Sequence, residues 1–201
     1  MSINELNWDN NPLAKFKYPD MVEIEVPPDG SCFFHSICLA FYKPYIFSEI
    51  GNIKTQRSDI IKQFRHELSV ILGESDENGI TIYDTLSNGN LKLLGKEFPN
   101  EYSLQALQKM LDSNESIDHS VHEFISNEIG KDIYFLESDK MDVYKYGKDL
   151  SLLYKKRPSI VLMHHNEHFN LVGIKNQDST IDTYFDANHP FISEIIDNLN
   201  I

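Results

Sequence analysis

The chain has 201 residues, which at about 150 residues per domain makes one domain, able to bury roughly 70 % of its unfolded surface without a metal or disulfide staple. With 31 acids against 18 bases the net charge is −13; nucleic acid and anionic membranes would repel such a surface, and a basic protein partner fits it. Two cysteines, Cys32 and Cys38, are too few for a disulfide scaffold. No apolar run approaches the ~18 residues of a membrane span, and Met1 to Phe16 holds no apolar core of a secretory signal. Free thiols without a signal point to a reducing, cytosol-like compartment.

In chain order, the first 20 residues are Asn-rich (Asn4, Asn7, Asn10, Asn11) and read as a loose lead-in. Val22 to Val26 alternates apolar and acidic residues, the pattern of a half-buried strand. Pro27-Pro28-Asp29-Gly30 breaks it, and the apolar run that follows to about Tyr42 predicts a buried helix starting near Cys32, with Ser31 as its cap. Ile60, Phe64, Leu68 and Ile71 predict a second helix over 58–72, stopped by Gly73, with Arg65 among its outward residues. Residues 73–90 read as an acidic loop with room for one short helix. Amphipathic spacing then predicts helices over Ser103–Leu111 and from Val121 to Gly130.

Beyond Gly130 the texture becomes β-like. Strands are predicted at Ile133–Leu136, Ser159–Met163, Phe169–Ile174 and Thr180–Phe185, followed by a helical segment after Pro190. Helices first and strands later predict an α+β architecture with a mostly antiparallel sheet. Lys155-Lys156-Arg157 reads as a solvated basic loop.

Two segments carry chemistry. In Asp29-Gly30-Ser31-Cys32-Phe33-Phe34-His35-Ser36 a cysteine opens a buried helix just after a turn. Helix-start N–H groups favour a thiolate and can also hold an oxyanion, and Gly30 permits a positive φ. Cys38, mid-helix among Ile37, Leu39 and Phe41, reads as a core thiol. In Met163-His164-His165-Asn166-Glu167-His168-Phe169-Asn170 a polar segment enters a strand near His168. The strand period of two puts His168 and Asn170 on one face, where the carboxamide oxygen can fix the imidazole tautomer. His164 and His165 read as surface or core histidines, and the three histidines lack the helical spacing of a zinc site.

Taken together, the first motif and His168-Phe169-Asn170, with Cys32 and His168 136 positions apart, resemble the ovarian tumour (OTU) family of papain-like cysteine proteases, mostly deubiquitinases. The resemblance spans about residues 22 to 190. It implies a papain-like α+β fold, a small mostly antiparallel sheet flanked by helices, in one domain over 1–201. By position it implies Cys32 as nucleophile, His168 as general base, Asn170 as the residue orienting it, and Asp29 as the support of an oxyanion hole built from Gly30, Ser31 and Cys32 N–H groups. His35 stands where the family commonly has Arg or His. Phe169 is expected beside a narrow channel for a diglycine tail. No cofactor is implied; the implied partner is ubiquitin or a polyubiquitin chain, bound by a monomer. Ubiquitin's basic tail region suits the acidic chain. The compactness, the Ile/Asn-rich composition and the Asn188-His189-Pro190-Phe191 ending resemble viral or bacterial members; for such a source the cytoplasm expected from the free thiols is that of a host. Two other readings share the motifs: a protease for another ubiquitin-like modifier, and a catalytically silent ubiquitin-binding module.

Overall fold

Helices precede the main strands along the chain, as the pattern predicts. The computed structural model describes residues 2–6, 8, 13–89, 91–145 and 154–199. The first half holds β1 (Ile3–Glu5), β2 (Met21–Ile24), α1 (Cys32–Phe41), α2 (Lys43–Phe47), a small hairpin of β3 (Glu49–Ile50) and β4 (Ile53–Lys54), α3 (Arg57–Leu72), α4 (Ile82–Asn88) and α5 (Lys92–Glu97). Then come α6 (Leu104–Leu111), a 3-10 turn (His119–Val121), α7 (His122–Ile129), β5 (Asp132–Glu137), β6 (Asp142–Val143), β7 (Ser159–His165), β8 (His168–Lys175), β9 (Ile181–Asp182) and α8 (Pro190–Leu199).

The main sheet runs β1-β2-β8-β7-β5-β6, with β9 on β8. Only β5 and β7 pair in parallel among the described strands; the other pairs are antiparallel. Both faces are covered, so the inner strands are apolar at nearly every position. Ile24, Phe135, Leu162 and Leu171 meet α1, α3, α6 and α7 on one face. Tyr134, Met163 and Val172 meet Phe191, Ile192 and Ile195 of α8 on the other. In α1, Phe33, Phe34 and Ile37 are fully enclosed, each worth about 1.5–3 kcal/mol of burial. Gly130 ends α7 at φ 65°, the left-handed cap that glycine adopts without strain.

Several sequence expectations are corrected. Part of the lead-in is a strand: Ile3–Glu5 pairs with Val22–Ile24, and Trp8 and Phe16 are buried against the second core. Asn7, Asn10 and Asn11 lie outside the described residues. β2 is not half-buried, because Glu23 has buried partners and only Glu25 faces out. Ser31 begins α1 but does not cap it; its hydroxyl serves the Arg65 guanidinium instead. The strand expected over Thr180–Phe185 narrows to Ile181–Asp182, while Phe185 bridges to Ser159. The basic loop is not simply solvated. Arg157 Nε lies 2.7 Å from the fully buried Asp132 carboxylate, which also accepts the N–H groups of Lys155 and Arg157.

Candidate active site

His168 opens β8 directly after a two-residue turn. Asn166 (φ 41°) and Glu167 (φ 71°) both take left-handed backbone, the geometry that joins two twisted strands in the shortest hairpin. This register fixes the face of each following side chain. His168 and Asn170 share a face, and the imidazole Nε2 lies 2.9 Å from the Asn170 carboxamide oxygen Oδ1. Oδ1 also accepts the Val26 N–H at 3.1 Å. The Asn170 Nδ2 donates to Glu23 Oε1 at 2.8 Å, and the same oxygen lies 2.6 Å from His165 Nε2.

The cysteine arrives from the other end of the chain. Pairing of β2 with β8 stops at Ile24 opposite Leu171, short of Phe169. Beyond that point side chains of α1 meet the β8 backbone, one turn apart and therefore on one face. Phe169 N–H donates to Cys32 Sγ at 3.5 Å, and Ser36 Oγ donates to the Phe169 carbonyl at 3.2 Å. The thiol therefore lies against the backbone of the residue that follows His168. Burial pushes the Cys32 thiol above its ordinary pKa; N–H groups of Phe169, Phe33 and Cys32 pull it down, and Asp29 pushes it up. The helix start therefore does not outweigh burial, contrary to the thiolate expected from sequence. Burial alone drives Cys38 up, as a core thiol requires.

Asp29 organises the turn before the nucleophile candidate. Its Oδ1 accepts the Ser31 N–H at 2.8 Å, and its carbonyl accepts the Cys32 N–H at 3.1 Å. Its Oδ2 lies 3.2 Å from His35 Nε2, and His35 Nδ1 lies 2.7 Å from the Tyr45 hydroxyl. Asp29 thus partners His35 rather than His168, and two of the three expected oxyanion donors are occupied by Asp29 itself. Burial lowers the His35 pKa, against the pull of the Asp29 charge. Gly30 does not adopt a positive φ. Its reason is space: a Cβ there would lie 1.9 Å from the Asn114 carbonyl oxygen.

Arg65, expected on an outward face of α3, is 1 % exposed. Its Nε donates to the Leu111 carbonyl (2.8 Å), Nη1 to the Gly30 carbonyl (3.1 Å) and Ser31 Oγ (2.8 Å), and Nη2 to the Met110 and Glu115 carbonyls (both 2.8 Å). Burial lowers its pKa to about 10, and the guanidinium sits 4.6 Å over the Phe34 ring. These contacts tie the Gly30–Ser31 turn to the loop after α6. Sequence periodicity carries no signal for them, since the acceptors, four backbone carbonyls and the Ser31 hydroxyl, belong to distant segments.

Phe169 is largely buried, edge-on to Phe33 (5.5 Å) and stacked on His164 (4.9 Å). One border lines a cleft with Ile117, His119, Tyr144, His164 and Glu167. His122 stacks on Phe33 at 4.5 Å, and burial holds its pKa near 3, so it stays neutral. His164, His165 and His168 point to separate partners: Glu137, Glu23 and Asn170. Cys32 thus lies against the Phe169 backbone, between His168 and its partner Asn170 along β8, Asp29 supports the adjoining turn, and Glu23, Ser36 and Arg65 are additions.

No protein-family model matches the sequence, and no curated protein matches it significantly. Solved structures do. An ovarian tumour domain in complex with ubiquitin aligns over 98 % of this chain and 88 % of its own, with a TM-score of 0.52 and 16 % identity. The OTUD1 OTU domain (12 % identity, 76 % of this chain, 85 % of its own, TM-score 0.45) is similar more loosely. So is the viral OTU domain protease of Taggert virus (18 % identity, 77 % and 81 %, TM-score 0.41). The fold correspondence rests on the first.

Proposed function

Since the chain carries the fold of an ovarian tumour domain, we propose that it is a cysteine protease that hydrolyses the isopeptide bond after the C-terminal Gly-Gly of ubiquitin. The observation that carries this reading is the Phe169 N–H donating to Cys32 Sγ at 3.5 Å, next to an imidazole anchored at 2.9 Å to Asn170. A thiol, an imidazole and a carboxamide carried on adjoining backbone support the reading, since acyl transfer needs a nucleophile, a base and an orienting group. The solved relative's ubiquitin complex supports the partner.

In this mechanism His168 Nδ1 takes the Cys32 proton as the sulfur attacks the glycyl carbonyl. The oxyanion takes the N–H groups of Gly30, Ser31 and Cys32, the last two exchanging their Asp29 acceptors for it. The imidazolium then protonates the departing lysine amine, leaving a thioester that water, activated by His168, hydrolyses. Phe169 walls the channel for the diglycine tail, whose lack of side chains lets it pass.

A ubiquitin probe with a C-terminal electrophile is expected to label Cys32, and a panel of diubiquitin linkages to be cleaved by wild type but not by Cys32→Ala. His168→Ala is expected to lose about 10³–10⁴-fold in turnover, and Asn170→Ala less, because it acts through the base. Labelling that survives Cys32→Ala, or binding of every chain type without cleavage, overturns the reading.

A further inference from the structure

We propose that Glu23 is a positioning residue: its carboxylate, enclosed in β2 behind Asn170, fixes the Asn170 amide and through it the tautomer of His168. The inference rests on the proposed role of His168 as base.

The two ends of a carboxamide differ only in what they can bond. On one side of Asn170 stands the Val26 N–H, which can only donate, at 3.1 Å. On the other stands the Glu23 carboxylate, which accepts, at 2.8 Å. Between them the amide has one orientation, with Oδ1 toward Val26 and His168 and Nδ2 toward Glu23. Oδ1 carries no hydrogen, so His168 Nε2, 2.9 Å away, must carry the proton. In a neutral imidazole that leaves Nδ1 bare, which is the form able to take a proton from a thiol. Since burial keeps Cys32 protonated at rest, the bare nitrogen is needed in every cycle. A reversed amide would present N–H to Nε2 and drive the proton onto Nδ1, an error that costs up to about 10⁴-fold in a comparable triad.

Glu23 is only 7 % exposed, and a buried carboxylate needs donors. His165 Nε2 at 2.6 Å and Asn170 Nδ2 provide them. The arrangement also accounts for an amide at position 170. An aspartate there would set a second carboxylate against Glu23 within hydrogen-bond distance, and like charges in a buried site repel.

The test uses four variants of the full chain. Glu23→Met, which keeps the length but removes the acceptor, is expected to lower kcat by about tenfold or more with KM unchanged, because Glu23 touches no substrate. Glu23→Gln retains an acceptor oxygen and should stay within about threefold of wild type. Asn170→Asp should be slowed about tenfold while Glu23 faces it, and the pair Glu23→Gln/Asn170→Asp should recover that loss. Nitrogen-15 imidazole spectra, read without substrate, are expected to show His168 protonated at Nε2 in wild type and to lose that uniformity in Glu23→Met. A wild-type proton on Nδ1 overturns the inference, and so does an Asn170→Asp variant equally active with Glu23 or Gln at position 23. Should Glu23→Met not fold, the exchanged pair, which conserves the buried polar groups, still decides it. Correct wild-type spectra without ubiquitin cleavage would sink the proposed function and leave the role of Glu23 intact.

Discussion

Cys32 has opposing influences on its sulfur: burial and Asp29 favour the thiol, while the amides of Phe169, Phe33 and Cys32 favour the thiolate. Burial prevails, so the thiolate population rises only above the pH at which an ordinary thiol, near 8.5, ionises. Alkylation of the free protein by iodoacetamide is therefore expected to climb with pH and reach its midpoint above that value. Asp29→Asn should move the midpoint down, because it removes a negative charge that disfavours a second one. A rate already at plateau by neutral pH would show a preformed thiolate and contradict this account. Cys38, enclosed in α1, should react only on unfolding. A resting thiol suits a base whose proton position is fixed beforehand.

At the level of elements, the Arg65 guanidinium joins α3 to the turn before α1 and to the loop after α6 through five hydrogen bonds. Replacing it by Met leaves backbone acceptors buried without a donor, and destabilisation of about 3–5 kcal/mol is expected in urea unfolding. Lys, with one donor centre, should rescue only part. An Arg65→Met protein as stable as wild type would mean that the loops hold themselves. The main elements were legible in the sequence: α1 and α3 by apolar spacing, β7 and β8 by their β-branched runs, the candidate site by Cys32 and by the His168–Asn170 interval. What escaped shares one property. Glu23 and Arg65 look like surface residues because their partners are far along the chain, Asn170 for one and the Gly30, Leu111 and Glu115 carbonyls for the other. The need for glycine at position 30 is hidden for the same reason, since the atom that excludes a Cβ belongs to Asn114. β1 is three residues long and is recognisable only by its pairing with β2.

Over the whole molecule the charge of −13 acts at a distance that single contacts do not. If the partner is the basic tail region of ubiquitin, attraction speeds encounter, and kcat/KM should fall about fivefold or more between about 20 mM and about 300 mM salt. An unchanged kcat/KM would show that the acidic residues lie away from the docking face. The α+β order read from the sequence holds across the molecule, and the layering explains it: one sheet is enclosed by most helices on one face and by α8 on the other. That sheet joins the chain's two ends. β2 lies beside β8, and Glu23 meets Asn170 across a separation of 147 residues. On the ribosome, then, the cysteine-bearing helix emerges long before the strand that supplies the imidazole. Until β8 has left the exit tunnel and paired with β2, a nascent chain lacks both the Cys32–Phe169 and the Glu23–Asn170 contacts.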